Sequence, residues 1–118
     1  MLINLSNHPS CQWTEKQIFA AKQYGEIVDI SFPVVDPACG TPRVQKLAEE
    51  LIDTIRDYGS PVEVVIHIMG EMTLTFLVVK RLKEMGYTCL ASTSYREIIE
   101  EEFNKKIVIF TFVRFREY

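Results

Sequence analysis

The run Val64-Val65-Ile66-His67-Ile68-Met69 is apolar without alternation, and Gly70 breaks it. A strand covered on both faces reads this way, which is the usual state of a central parallel strand. A segment at helical spacing follows. Met72, Phe76, Val79 and Leu82 form one stripe, flanked by Leu77, Val78 and Met85. Lys80, Arg81 and Lys83 gather in its last turns, where cations suit the negative end of the helix dipole, and Gly86 supplies a stop. Strand, tight turn and helix in that order predict an open α/β sheet. Ligands in such sheets sit at the carboxyl ends of the strands, beside helix N-termini. Gly70-Glu71-Met72-Thr73 is therefore the first candidate for a binding site.

The remaining elements repeat the pattern. Leu2–Leu5 reads as a first strand, followed by the turn formers Ser6-Asn7-His8-Pro9-Ser10. Thr14 is a good N-cap, with Gln17 three residues on as a capping box requires. Ile18, Ala21 and Tyr24 keep helical spacing up to Gly25. Glu26–Phe32 reads as the second strand and Val34–Pro42 as a loop. The second helix runs from about Arg43 to Tyr58 on a stripe of Val44, Leu47, Ala48, Leu51, Ile52 and Ile55. Tyr87–Ala91 is the fourth strand. Glu97–Glu102 reads either as a short helix or as the outgoing arm of a hairpin, with a turn at Phe103–Lys106. Ile107–Phe115 is β-branched and aromatic and predicts a strand antiparallel to its neighbour. The order βαβαβαββ predicts a Rossmann-like three-layer sandwich, its sheet mostly parallel and closed by a C-terminal antiparallel hairpin.

At 118 residues a single domain is expected over the whole chain. The apolar runs fall short of the ~20 residues a membrane span needs, and the N-terminus lacks the basic region of a signal peptide. Three widely spaced cysteines, with no CxxC pair and no zinc pattern, fit a reduced cytoplasmic compartment and read as buried small hydrophobes. A net charge of −3 argues against a broad surface for long nucleic acid, while leaving room for a local phosphate site.

Three polar clusters follow strands one, three and four: Ser6-Asn7-His8, Gly70-Glu71-Met72-Thr73 and Ser92-Thr93-Ser94-Tyr95-Arg96. In a doubly wound sheet all three open on one edge. His8 has the chemistry of a general acid or base, or it orders its loop. Ser6 and Asn7 suit a base or phosphate, or the turn amides. Glu71 suits a ribose hydroxyl or an adenine amino group, or serves as an ordinary first-turn acid. Arg96, with Thr93 and Ser94 as hydroxyl donors beside it, suits bidentate phosphate contact, or pairs with Glu100 at the surface. His67 reads as a satisfied core residue, and Glu100-Glu101-Glu102 as a solvated acidic edge. The tail Phe112–Tyr118 reads as an exposed dimer strand or a charge-protected edge. Neither GxGxxG nor GxxxxGK[ST] occurs.

With those residues in view, the chain resembles the small CRISPR-associated Rossmann-fold (CARF-like) proteins found beside type III CRISPR systems. The resemblance rests on Asn4-Leu5-Ser6-Asn7-His8-Pro9-Ser10, the Thr14–Gln17 helix start, the Gly70-Glu71 turn and Ser92-Thr93-Ser94 before Arg96. It implies a homodimer that binds a cyclic oligoadenylate across its two-fold axis. In some members the ring is also cleaved without a metal or other cofactor, as by a ring nuclease. Ser6, Asn7, Gly70, Glu71, Thr73, Thr93 and Ser94 would then bind the ligand, with His8 and Arg96 catalytic. The chain departs from the family in lacking a clear lysine at any strand end. Three other readings stand beside this one. They are a non-catalytic cyclic-nucleotide-binding protein, a small Rossmann-type enzyme acting on another nucleotide or phosphorylated metabolite, and a regulatory partner that uses the aromatic C-terminal strand.

Overall fold

A computed structural model describes residues 1–118. Four strands, β1 (Leu2–Ser6), β2 (Ile27–Ser31), β3 (Val65–Met69) and β4 (Thr88–Glu102), run parallel, and β5 (Lys105–Glu117) is antiparallel to β4. Strand order across the sheet is β2-β1-β3-β4-β5. Three helices connect the parallel strands: α1 (Glu15–Lys22), α2 (Thr41–Tyr58) and α3 (Met72–Glu84). This is the expected Rossmann-like α/β architecture with its C-terminal hairpin.

The side-chain period of two divides the sheet into two faces. Ile3, Leu5, Ile66 and Ile68 point to one side, where they pack with Val44, Leu47, Ile52 and Ile55 of α2 and Leu74, Val78 and Leu82 of α3. Leu2 and Leu90 point to the other, against Ala21 of α1 and Phe112 and Phe115 of β5. On that second face β1 continues with Asn4 and Ser6, and β3 with His67 and Met69. α1 spans only eight residues, so it leaves the carboxyl end of this face open.

Several boundaries differ from the sequence reading. α2 begins at Thr41 rather than Arg43, because Pro42 fits the first helical turn behind the N-cap Gly40. The buried stripe of α3 is Leu74, Val78, Val79 and Leu82, while Met72 and Phe76 face solvent. The expected stripe was rotated because most of α3 is apolar and periodicity alone could not choose the inner face. β4 extends past Ala91 to Glu102, so Glu97–Glu102 is the outgoing arm of a hairpin and Ser92-Thr93-Ser94 lies within a strand rather than after one. Phe103 and Asn104, with φ of 51° and 63°, form its two-residue turn. Of the cysteines only Cys89 is buried; Cys11 is exposed and Cys39 half-buried. No helix is long and apolar enough to cross a membrane.

Candidate functional site

In register across β2, β1 and β3 stand Asp29, Asn4 and His67, one polar residue on each of three adjacent strands. The Asn4 amide Nδ2 donates to Asp29 Oδ1 at 2.8 Å and to the His8 carbonyl at 2.9 Å. Its Oδ1 accepts from Ser6 Oγ at 2.8 Å and faces His67 Nδ1 at 2.9 Å. Two acceptors on one side and two donors on the other fix the amide's orientation. His67 must then carry its proton on Nδ1, so Nε2 keeps a lone pair. That lone pair points toward Ser92 Oγ at 3.3 Å. Ser92 has a single hydroxyl proton, and Met69 Sδ at 2.9 Å competes for it.

His67 is 2% exposed. Burial, with a smaller contribution from the charge of His8, pushes its pKa down to about 4. The imidazole is therefore neutral at pH 7. Trp13 stands edge-on to it with ring centroids 5.4 Å apart, and Phe115 closes the other side at 5.3 Å. At the far end of the row, burial raises the Asp29 carboxyl. Hydrogen bonds from the Ser10 hydroxyl and amide and from Asn4 outweigh it, and the net direction is down.

His67 lies at the floor of a cavity of about 530 Å³. Ser6, Asn7 and His8 line it from the end of β1, Met69 and Gly70 from the end of β3, and Ser92 and Ser94 from β4. Trp13, Phe110 and Phe112 supply aromatic walls. The strand order reverses between β1 and β3, and the cavity opens at the carboxyl ends of those two strands. That crevice is where open α/β sheets hold ligands. A smaller depression of about 190 Å³ shares Ser6 and Asn7 on the β2 side.

Of the nine residues singled out in the sequence, Ser6, Asn7, His8, Gly70 and Ser94 line this cavity together. Gly70 also has a packing role, since a Cβ there would stand 2.4 Å from the Phe32 ring. Glu71 caps α3 and does not line the cavity: its carboxylate accepts from the amides of Thr73 at 3.1 Å and Leu74 at 2.8 Å, and from the Thr73 hydroxyl. The Thr73 hydroxyl and these amides hold its pKa below the ordinary glutamate value. The N–H groups an anion would need at this helix start are thus occupied. Thr93 donates to the Arg114 carbonyl at 3.0 Å across the hairpin. Arg96 is exposed, opposite Phe110 in register and two residues beyond Ser94 on the same face of β4. It makes no ion pair with Glu100; the one salt bridge of the chain joins Arg81 and Glu84 at 3.5 Å.

The sequence reading gave no binding role to Asn4, Trp13 or Asp29 and named Ser92 only as a member of its cluster. It read His67 as a satisfied core residue, which His67 is, although it also lines the cavity. A signal was available. Asn4 and His67 are polar interruptions in otherwise apolar strands, which is where a buried network enters. No Lys or Arg lines the cavity. No group of three His, Cys, Asp or Glu side chains is placed to hold a metal ion.

The fold and this cavity define a small α/β protein with an aromatic-walled polar pocket at its topological switch point. Residues 1–116 match the model of the Uncharacterized protein MJ1673 family, and the chain belongs to that family. No curated protein and no solved structure matches it.

Proposed function

We propose that the chain binds a cyclic oligoadenylate of type III CRISPR defence in the cytoplasm, as a homodimer, and opens the ring without a metal. The observation that carries this reading is the lining of the switch-point cavity, in which hydroxyls, three side-chain amides and two imidazoles stand among aromatic rings. Such a lining suits an adenine ring and a ribose, through stacking and neutral hydrogen bonds. A cavity of about 530 Å³ is of nucleotide size, so a ring of several nucleotides would need two of them.

The two imidazoles take different parts. His67 Nε2, its tautomer fixed by Asn4, accepts a hydrogen bond from a ligand hydroxyl or amino group. His8, exposed at the mouth, takes the proton of the ribose 2′-hydroxyl. The freed oxygen attacks the adjacent 3′-phosphorus, the bond from phosphorus to the 5′-oxygen breaks, and that oxygen gains a proton. The product is a 2′,3′-cyclic phosphate. Holding the attacking oxygen in line supplies much of the rate, because nucleophile and phosphate belong to one molecule. Arg96, on the Ser94 face of β4, is the cation for the phosphate charge.

A second reading, binding without cleavage, draws on the absence of any cation in the cavity lining. Incubating the protein with cyclic tetra-adenylate, with and without EDTA, separates the two. EDTA-insensitive product supports the nuclease, and a thermal shift without product supports binding alone. No shift with any cyclic oligoadenylate removes both. A larger shift with mononucleotides points instead to a metabolite enzyme.

A further inference from the structure

β3 pairs with β4 only over Thr88–Leu90, yet β4 and β5 remain paired as far as Glu102 and Lys105. The outer hairpin is therefore a two-stranded ribbon with no neighbour on either edge. At ~3.4 Å per residue, Tyr95 to Phe103 spans roughly 30 Å. The radius of gyration is 15.6 Å, against roughly 13.5 Å for a compact chain of this length. A lone ribbon of this kind is marginally stable in water. This one also exposes Phe103 (88%), Tyr95 (72%), Phe110 (67%) and Ile99 (58%). Phe103 holds positive φ in the turn, a conformation bulky residues avoid. Nothing within the chain covers its ring.

A second unpartnered surface lies near the ribbon's root. A groove of about 710 Å³ runs along α3 from Met69 and Gly70 toward Tyr118. Its apolar wall is Met72, Phe76 and Val79, with Met72 and Phe76 largely exposed. Lys80 and Lys83 edge it, and Lys83 also donates to the Tyr118 carbonyl at 2.7 Å.

We propose that a second copy of this chain fills the groove, each protomer laying its ribbon into the other's α3 face about a two-fold axis. Three observations select this occupant. The β4 arm carries Glu97, Glu100, Glu101 and Glu102, and the groove it would meet carries Lys80 and Lys83. Antiparallel pairing of two β5 edges centred on Phe110 would instead set Lys106 opposite Arg114, with Lys105 one residue away, like charges that disfavour that register. Finally, the groove begins at Met69 and Gly70, which also line the cavity beside the ribbon's root at Ser92 and Ser94. Two antiparallel ribbons side by side bring each tip to the other's root, and so to its groove. Phe103 and Ile99 then cover Met72 and Phe76. This inference does not depend on the ligand, and failure of the cyclic-nucleotide reading leaves it intact.

Analytical ultracentrifugation tests it. The expected wild-type species is a dimer. Phe103→Asp and Phe76→Glu, both at exposed positions, are each expected to weaken it at least tenfold while circular dichroism stays unchanged. Mixing the two variants restores a heterodimer, because the ribbon of the Phe76→Glu chain still meets an intact groove on the Phe103→Asp chain. A wild-type monomer at every concentration overturns the proposal. So does a dimer that both substitutions leave unchanged, which would point to edge pairing, and so does a mixture that stays monomeric.

Discussion

Asn4 and His67 face one another in register on β1 and β3, with 2.9 Å between Asn4 Oδ1 and His67 Nδ1. This contact decides which imidazole nitrogen is free, and so what the cavity floor offers a ligand. Asn4 is held in turn by Asp29 and by the His8 carbonyl. The loop that carries one histidine is thereby tied to the strand position that orients the other.

Replacing Asn4 with Leu removes four hydrogen bonds at a site 1% exposed and leaves His67 Nδ1–H without an acceptor. The expected loss is about 3 kcal/mol, since each buried polar group left unpaired costs ~1–3 kcal/mol. Urea unfolding measures it. A loss below the scatter of the measurement would mean the network contributes little.

Acid should destabilise the protein through His67. Its folded pKa of about 4 lies below the unfolded value of 6.5. The unfolded chain therefore binds the extra proton first as pH falls. Stability from this group is complete above pH 6.5 and declines as pH drops to about 4, by a total on the order of 3 kcal/mol. His67→Gln should flatten that decline between pH 6.5 and 4, as read from urea midpoints. Asp29, whose pKa is lowered, adds a separate loss at pH values below the ordinary aspartate range.

Gly70→Ala forces a methyl to 2.4 Å from the Phe32 ring. A loss of roughly 1–3 kcal/mol is expected, as for other overpacked sites. Phe32→Leu in the same chain should recover part of it. Thermal unfolding of the single and double variants gives the coupling, and simple additivity would show that the ring is not the obstacle.

Glu71→Ala and His8→Ala should behave in opposite ways. Glu71 serves α3 through the amides of Thr73 and Leu74, so its loss should lower the unfolding midpoint and spare ligand binding. His8→Ala should leave stability alone and slow turnover of cyclic tetra-adenylate by roughly a hundredfold, more than it weakens binding. Arg96→Ala should weaken both. Thermal shift and product assays on the three variants check this, and full activity in the His8 variant would take it out of the mechanism.

Much of this fold could be read from the sequence because its elements obey simple periods. The unbroken Val64–Met69 run, the one-sided stripe of α2 and the Thr14 cap each appear as expected. α3 did not yield its inner face, because Met72, Phe76 and Leu77 are as apolar as the residues that are buried. Gathering the clusters along one edge followed from parallel strands, and it brought Ser6, His8, Gly70 and Ser94 together. It could not reveal that Glu71 spends its carboxylate on its own helix. Nor could it show that His67, already legible as a strand residue, also lines the cavity. That depends on which residues stand side by side in the sheet, and register is not written in any one segment.

Between Thr93 and Ser94 the hairpin register shifts, and Val113 has no partner. Such a bulge bends a ribbon and increases its twist. Phe112 and Phe110, which follow that bulge toward the hairpin turn, also line the cavity that His67 lines. Two of the cavity's aromatic walls thus belong to a structure lying mostly outside it. A change in the ribbon's twist would carry those two rings with it, and so reshape the space above the imidazole.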